Sequence, residues 1–162
     1  MICFYGTPRW ASNTPDDTRY VVHVWAYNAY AAKDVNDWTN FVGQLVKRYG
    51  DRVDTWEVWN EPHLRNYSCY WHDTPENYVM LLKSAYQTIK KLQPESKVWI
   101  GGMALRYLPF YEAIMKLGAG PYFDYFAMHG HGQSIAPFHA LDRKYGMPFM
   151  AFVSMLIGII LS

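Results

Sequence analysis

Cysteine is scarce in this sequence, which has only Cys3 and Cys69 among its 162 residues. Two cysteines cannot form the dense disulfide framework of small secreted domains, so a hydrophobic core must hold the fold. The length corresponds to one domain of ordinary size, which is sufficient for such a core. Because 51% of the residues are hydrophobic, an intrinsically disordered chain is excluded.

The sequence also lacks an excess of charge of either sign. Fifteen Lys and Arg residues against fourteen Asp and Glu residues give a net charge of +1. We therefore expect no electrostatic attraction to nucleic acid or to an anionic membrane surface. The longest apolar run, residues 149–161, is shorter than the ~20 residues of a membrane span, so no span is predicted.

Strand-like and helix-like segments alternate along the chain. Short apolar runs predict five strands, at residues 2–5, 55–59, 97–100, 123–128 and 148–153. Helical spacing of apolar residues predicts four helices, near residues 38–49, 74–92, 109–117 and 138–145. This alternation predicts a parallel α/β sheet, either doubly wound or part of a (β/α)8 barrel. No Gly-x-Gly-x-x-Gly follows a strand, which disfavours dinucleotide binding.

Polar and aromatic residues follow several of the predicted strands. Trp10 follows the first strand, Asn60 and Glu61 follow the second, and His129 ends the fourth. Functional groups of parallel α/β folds gather at the carboxyl ends of the strands. We therefore predict that these side chains share one end of the sheet, although an exposed loop glutamate remains the alternative for Glu61.

His129 and His131 share one strand face, so they could supply two ligands of a metal site. Zinc needs at least a third protein ligand, and no spacing in the sequence supplies it. A metal-dependent barrel hydrolase is therefore kept as an alternative hypothesis.

Residues 56–62, WEVWNEP, closely resemble the fourth-strand motif of the clan A retaining glycoside hydrolases, with families 39 and 5 the nearest. Residues 7–12, 98–102 and 123–129 are similar to the ends of that clan's third, fifth and sixth strands, and residues 145–148 to the approach to its seventh. The resemblance implies that residues 1–151 form a glycoside hydrolase fragment, a partial (β/α)8 barrel from strand three to strand seven. Residues 152–162 would form a divergent apolar tail.

The resemblance also implies roles for individual residues. Glu61 would be the general acid/base, and Asn60 would hydrogen-bond the sugar 2-hydroxyl group. His129 would line the sugar site, and Trp10 would lie close to the bound sugar. The implied substrate is a β-linked saccharide, and a mechanism with two carboxylates requires no cofactor, so none is expected.

Glu57 precedes Glu61 by four residues on the same predicted strand. Four residues of strand span ~13 Å, whereas the two carboxylates of glycosidases lie ~5 Å or ~6.5–9.5 Å apart. Glu57 is therefore predicted to be structural, held by a basic or polar partner in the interior.

The sequence departs from the family pattern where the nucleophilic glutamate is expected. Val153 occupies about that place, and no acidic residue follows Asp142. We therefore expect weak or absent hydrolysis, with an inactive carbohydrate-binding or assembly fragment as the alternative. The missing first, second and eighth strands would leave two sheet edges unpaired, which predicts a partner that completes the sheet.

Overall fold

The computed structural model describes residues 1–21, 24–62, 70–103, 107–129, 134–147 and 151–153. The elements are, in chain order, β1 (Ile2–Phe4), β2 (Tyr20–Val21), β3 (Val24–Trp25), α1 (Val35–Tyr49), β4 (Thr55–Val58), α2 (Pro75–Leu92), β5 (Lys97–Met103), α3 (Leu108–Lys116), β6 (Tyr125–Met128), α4 (Ala136–Lys144) and β7 (Ala151–Val153).

Five strands form one sheet in the order β1-β4-β5-β6-β7, and every neighbouring pair is parallel. A helix lies between each pair of consecutive strands of this sheet. Each new strand is added to the same edge, whereas the strand order of a doubly wound sheet reverses at a switch point. The predicted α/β architecture is confirmed, and the order is that of a partial (β/α)8 barrel.

Helices α1 and α2 pack together through the apolar faces that their spacing predicted. The Thr74 side chain caps α2 by accepting a hydrogen bond from the backbone N–H of Asn77, and Pro75 occupies the first turn. Trp38 of α1 is buried, and its Nε1 donates to the Leu81 carbonyl of α2 at 3.0 Å. This contact joins the two helices beneath the sheet.

Three features differ from the sequence-based expectation. Strand β5 continues to Met103 instead of ending at Ile100, because the two glycines that follow Ile100 remain extended beside other segments. Strands β2 and β3 form an antiparallel hairpin in a segment for which no element was predicted. Helix α1 also begins at Val35, ahead of the predicted start at Trp38.

Strand β7 places Val153 level with Met128 of β6. It therefore runs past the predicted boundary after Ala151, and that boundary stays a prediction, since residues 154–162 lie outside the described residues. A partner that completes the sheet also stays a prediction. Within the ranges that the structure describes, no helix has both the length and the apolar character to cross a bilayer.

Candidate active site

The chain leaves β4 through a turn with unfavourable backbone conformations. Trp59 and Glu61 have φ angles of 71° and 46°, a left-handed region that costs side-chain-bearing residues about 1–3 kcal/mol each. The Trp59 backbone N–H donates to the Phe4 carbonyl of β1 at 2.8 Å, and its indole Nε1 donates to the Tyr70 carbonyl. The same indole packs edge-on against Trp71 at 4.9 Å. These contacts hold the strained turn in one conformation.

Two glycines of β5 make room for this turn and for His129. A Cβ on Gly101 would lie 2.5 Å from the Trp59 carbonyl oxygen and 3.0 Å from Pro62 Cδ. A Cβ on Gly102 would lie 2.2 Å from His129 Nε2. A side chain at either position would therefore push the β4 turn or the imidazole away from β5.

Glu61 and His129 meet at the carboxyl end of the sheet. His129 Nδ1 lies 2.9 Å from Glu61 Oε1, and the two side chains are 13% and 24% exposed. The imidazole can donate an N–H from Nδ1 to the carboxylate, which fixes the direction of the carboxyl group. The structure thus brings together two of the four residues to which the sequence assigned a role, while leaving the carboxyl group accessible from solvent.

Trp10 and Asn60 follow neighbouring strands. Strands β1 and β4 pair with Phe4 opposite Val58, so the segments after them leave the sheet at the same end. Trp10 lies in a short 3₁₀ turn and is 67% exposed, and Asn60 is half-buried next to Glu61. An exposed indole at this end is available for stacking on a flat ligand face.

Glu57 is fully buried on β4, below Glu61. Its Oε1 accepts a hydrogen bond from the Gly102 backbone N–H at 3.0 Å. Burial raises the pKa of Glu57 to about 7, although the Gly102 N–H, the His129 charge and the Cys3 thiol act in the opposite direction. Cys3 lies opposite Glu57 in the β1–β4 register, and burial raises the pKa of its thiol as well. Glu57 therefore lies in the interior, as expected from the sequence.

Asp73 is a residue to which the sequence analysis assigned no role. Its Oδ2 accepts hydrogen bonds from Asn13 Nδ2 at 3.2 Å and from the Ala31 N–H at 3.0 Å. Its Oδ1 accepts from the Thr74 N–H at 2.8 Å and from Asn77 Nδ2 at 2.7 Å. One carboxylate therefore joins the long segment after β1 to the start of α2. Only its place before the Thr-Pro start of α2 pointed to such a role.

Two further carboxylates serve packing rather than the candidate site. Asp124 accepts from the Val98 N–H and pairs with Lys90 at the amino end of the sheet. Asp142 accepts from the Tyr111 hydroxyl group at 2.5 Å, between α3 and α4.

The metal hypothesis depends on His131, which lies outside the described residues. In the part of the chain that the structure describes, no three His, Cys, Asp or Glu side chains are grouped as ion ligands.

Comparison with known proteins gives a consistent result. The family model described as "Glycosyl hydrolases family 39" matches residues 11–136, well over half of the chain. A curated β-xylosidase of Geobacillus stearothermophilus is 35% identical over 92 residues, which cover 52% of this chain and 17% of that protein. A β-xylosidase of Caldicellulosiruptor saccharolyticus is 36% identical over 94 residues, which cover 54% and 18%.

A family 39 β-xylosidase of Caulobacter crescentus has a similar fold. Its structure superposes with a TM-score of 0.66 at 20% identity, covering 94% of this chain and 35% of that one. Each match to the two curated relatives spans less than a fifth of the relative's length. The chain belongs to glycosyl hydrolases family 39, and its five-stranded parallel sheet is part of a (β/α)8 barrel.

Proposed function

We propose that this site is the acid/base half of a retaining β-glycosidase site, with Glu61 as the general acid/base. The observation that carries the proposal is the 2.9 Å contact between Glu61 Oε1 and His129 Nδ1 at the carboxyl end of the sheet. A carboxyl group held there can protonate the leaving glycosidic oxygen and later accept a proton from the attacking water. The two curated relatives are β-xylosidases, so a β-xyloside is the substrate to test.

Neighbouring residues suit the binding of the sugar. Asn60 adjoins Glu61 on the same turn and would hydrogen-bond the sugar 2-hydroxyl group. The exposed Trp10 ring would lie against an apolar face of the sugar. His129 would keep the Glu61 carboxyl group directed toward the glycosidic oxygen.

We propose that this chain lacks the second carboxylate of the retaining mechanism. The covalent step requires a nucleophile ~5 Å from the acid/base, on the other side of the sugar. Position 153 ends β7 and pairs with Met128, the residue before His129, so its place in the sheet suits that nucleophile. Valine has no nucleophilic group. We therefore propose that the chain binds a β-linked saccharide and hydrolyses it weakly or not at all.

The test of catalysis is hydrolysis of 4-nitrophenyl β-xyloside by the purified chain. Loss of a nucleophile removes several powers of ten in rate, so turnover is expected near background. Val153→Glu should raise the rate above that of Val153→Gln, because glutamine has similar size but cannot form the glycosyl-enzyme ester. Glu61→Gln should abolish whatever activity Val153→Glu restores.

Wild-type turnover that disappears in Glu61→Gln would contradict the proposed impairment and would reveal a second carboxylate elsewhere in the chain. A chain that neither hydrolyses the xyloside nor binds xylobiose in calorimetry would contradict the proposed saccharide site as a whole.

A further inference from the structure

Two tryptophans are far more exposed than the buried ones of the core. Trp10 is 67% exposed and Trp25 is 46% exposed, whereas four of the other tryptophans are at most 4% exposed. Tryptophan is highly buried on average, because its side chain can bury about 150–250 Å². Both exposed indoles belong to the connection between β1 and α1, residues 5–34, which leaves the sheet at its carboxyl end. An indole exposed at this end is available to a ligand.

Trp25 is supported by a second ring and by a fixed backbone. Its ring lies parallel to that of the half-buried Tyr27, with an interplanar angle of 8° and 6.4 Å between the centroids. The Tyr27 N–H donates to the Asp17 carbonyl at 3.1 Å, and the Ala26 N–H donates to the Arg19 carbonyl at 2.8 Å. Arg19 Nε and Nη2 donate to the two carboxylate oxygens of Asp17 at 2.7 and 2.6 Å. These contacts hold the stacked pair in place before any ligand binds.

The stacked pair is also joined to the turn that carries Trp10. The buried Ser12 donates from Oγ to the Tyr27 carbonyl at 2.7 Å. The Thr7 N–H donates to the Asn28 carbonyl at 3.0 Å, and Asn28 Nδ2 donates to the Thr7 carbonyl at 2.9 Å. Two residues of chain span at most ~7 Å, so the Cα atom of Trp10 lies within that distance of the Cα atom of Ser12. Trp10 and the stacked pair therefore belong to one surface, within the length of a short oligosaccharide.

We propose that Trp25, supported by Tyr27, is a second saccharide-stacking surface, which holds sugar units beyond those at Trp10 when a β-linked oligosaccharide binds. This inference rests on the proposed function, because it extends the sugar site beside Glu61. A sugar ring has an apolar face of C–H groups that packs on an indole, while its hydroxyl groups point to the side and stay in water. Trp25 thereby increases the affinity for longer saccharides and leaves that for a disaccharide unchanged.

The surface suits a neutral oligosaccharide better than a protein or a nucleic acid. Among the described side chains of this connection, Trp10 and Trp25 are the large apolar ones that are exposed, whereas a stable protein interface requires about 800 Å² from each partner. Single-stranded nucleic acids also stack on separate rings, but they require a basic groove. The net charge of the chain is only +1, and Arg19 is paired with Asp17. Separate rings without a basic groove match a chain of uncharged sugar units.

The test is calorimetry of the whole chain with xylobiose and with xylohexaose. Trp25→Ala should weaken the binding of xylohexaose about tenfold, the loss expected for one aromatic contact, and should leave the affinity for xylobiose unchanged. Trp25→Phe should keep most of the affinity for xylohexaose, because it keeps a flat ring. Phe41→Ala is the matched control, since Phe41 is a 44% exposed aromatic residue of α1. It should change neither affinity.

A second measurement uses the wild-type chain labelled with ¹⁵N-tryptophan. The Trp25 indole resonance, assigned through Trp25→Phe, should shift with xylohexaose and not with xylobiose, and this result decides if Trp25→Ala does not fold. Equal xylohexaose affinities of wild type and Trp25→Ala, or an unshifted Trp25 indole, would overturn the inference, while xylobiose binding would leave the proposed function intact. Conversely, a shifted Trp25 indole in a chain that does not bind xylobiose would support the second surface and refute the proposed site. Binding of neither saccharide would refute both.

Discussion

The two ends of the five-stranded sheet are built from the same strands but differ in how well their polar groups are satisfied. At the amino end, Asp124 accepts from the Val98 N–H at 2.8 Å and pairs with Lys90 at 2.8 Å. The Lys97 N–H nearby donates to the Asp54 carbonyl at 2.7 Å. This end has short, complementary contacts of the kind that increase the free energy of unfolding.

At the carboxyl end, the backbone is strained and several buried polar atoms lack partners in the described chain. Trp59 and Glu61 adopt left-handed conformations, and the unpartnered atoms include Glu57 Oε2 and His129 Nε2. Such features persist only where surrounding packing determines them, and they concentrate at functional sites. In (β/α)8 barrels the carboxyl end carries the chemistry and the amino end the stability. Because the strained backbone of the turn after β4 lies at the carboxyl end, we attribute this strain to the candidate site and not to the fold as a whole.

The largest effect on stability is expected from Gly101→Ala, at the carboxyl end of the sheet. The new Cβ would lie 2.5 Å from the Trp59 carbonyl oxygen, a backbone atom that cannot rotate away. We expect the free energy of unfolding to fall by about 4 kcal/mol. Gly43→Ala is the matched control, because its Cβ would meet Thr88 Cγ2 at an ordinary 3.5 Å within α1. That variant should be neutral or gain up to about 1 kcal/mol. Equal urea midpoints for both variants would show that the turn has room to relax.

The second test is the pH dependence that Glu57 imposes. Burial raises its pKa from 4.5 to about 7, so the folded chain holds this proton more tightly than the unfolded chain. The contribution of this proton to the free energy of unfolding is complete below about pH 4.5 and is lost as the pH rises through about 7, a difference of about 3 kcal/mol. The free energy of unfolding of the wild-type chain, measured in urea, should therefore fall between pH 5 and pH 8 relative to that of Glu57→Gln, which has no carboxyl group to titrate at this position. A parallel pH dependence in the two proteins would place the Glu57 carboxyl group in contact with water.

Helices whose ends are marked by nearby residues could be predicted from the sequence. Thr74 and Pro75 start α2 where expected, and Leu92 ends it, because a cap, a proline and a regular apolar face are all encoded nearby. The β2–β3 hairpin was missed, since its strands are only two residues long and have no alternation that could mark them. The early start of α1 was missed because its cap, Asp34, precedes the apolar periodicity.

The candidate site was predictable in position but not in geometry. Placing Glu61 and His129 after parallel strands assigns them to one sheet end, yet their 2.9 Å contact joins residues 68 positions apart. It also requires that Gly102 lack a side chain. A strand-to-strand register of this kind is determined by packing of the whole sheet and is not marked in either segment. The two distant donors to Asp73, Asn13 Nδ2 and the Ala31 N–H, could not be predicted for a similar reason, because only packing of the whole chain brings them to this carboxylate.

The third test is made at the amino end. Asp124→Ala removes the acceptor of the Val98 N–H and the partner of Lys90, so we expect a loss of about 2 kcal/mol in the free energy of unfolding. Asp124→Asn keeps an acceptor without the charge and should lose about half as much. Xylobiose affinity should be unchanged in both variants. A change in affinity without a change in stability would mean that the two ends of the sheet are not independent.

The smallest effect on stability is expected from Trp10→Ala, and it separates the two ends by function. The side chain is 67% exposed, so the free energy of unfolding should change by less than about 0.5 kcal/mol. If the indole stacks on the bound sugar, xylobiose should bind about tenfold more weakly, which corresponds to ~1.4 kcal/mol. Leu92→Ala is the matched control, because Leu92 is a 37% exposed apolar residue at the end of α2, beside the amino end of the sheet. It should leave the affinity unchanged. Calorimetry with xylobiose measures both variants, and equal affinities would remove Trp10 from the proposed sugar site while leaving the contact between Glu61 and His129 unaffected.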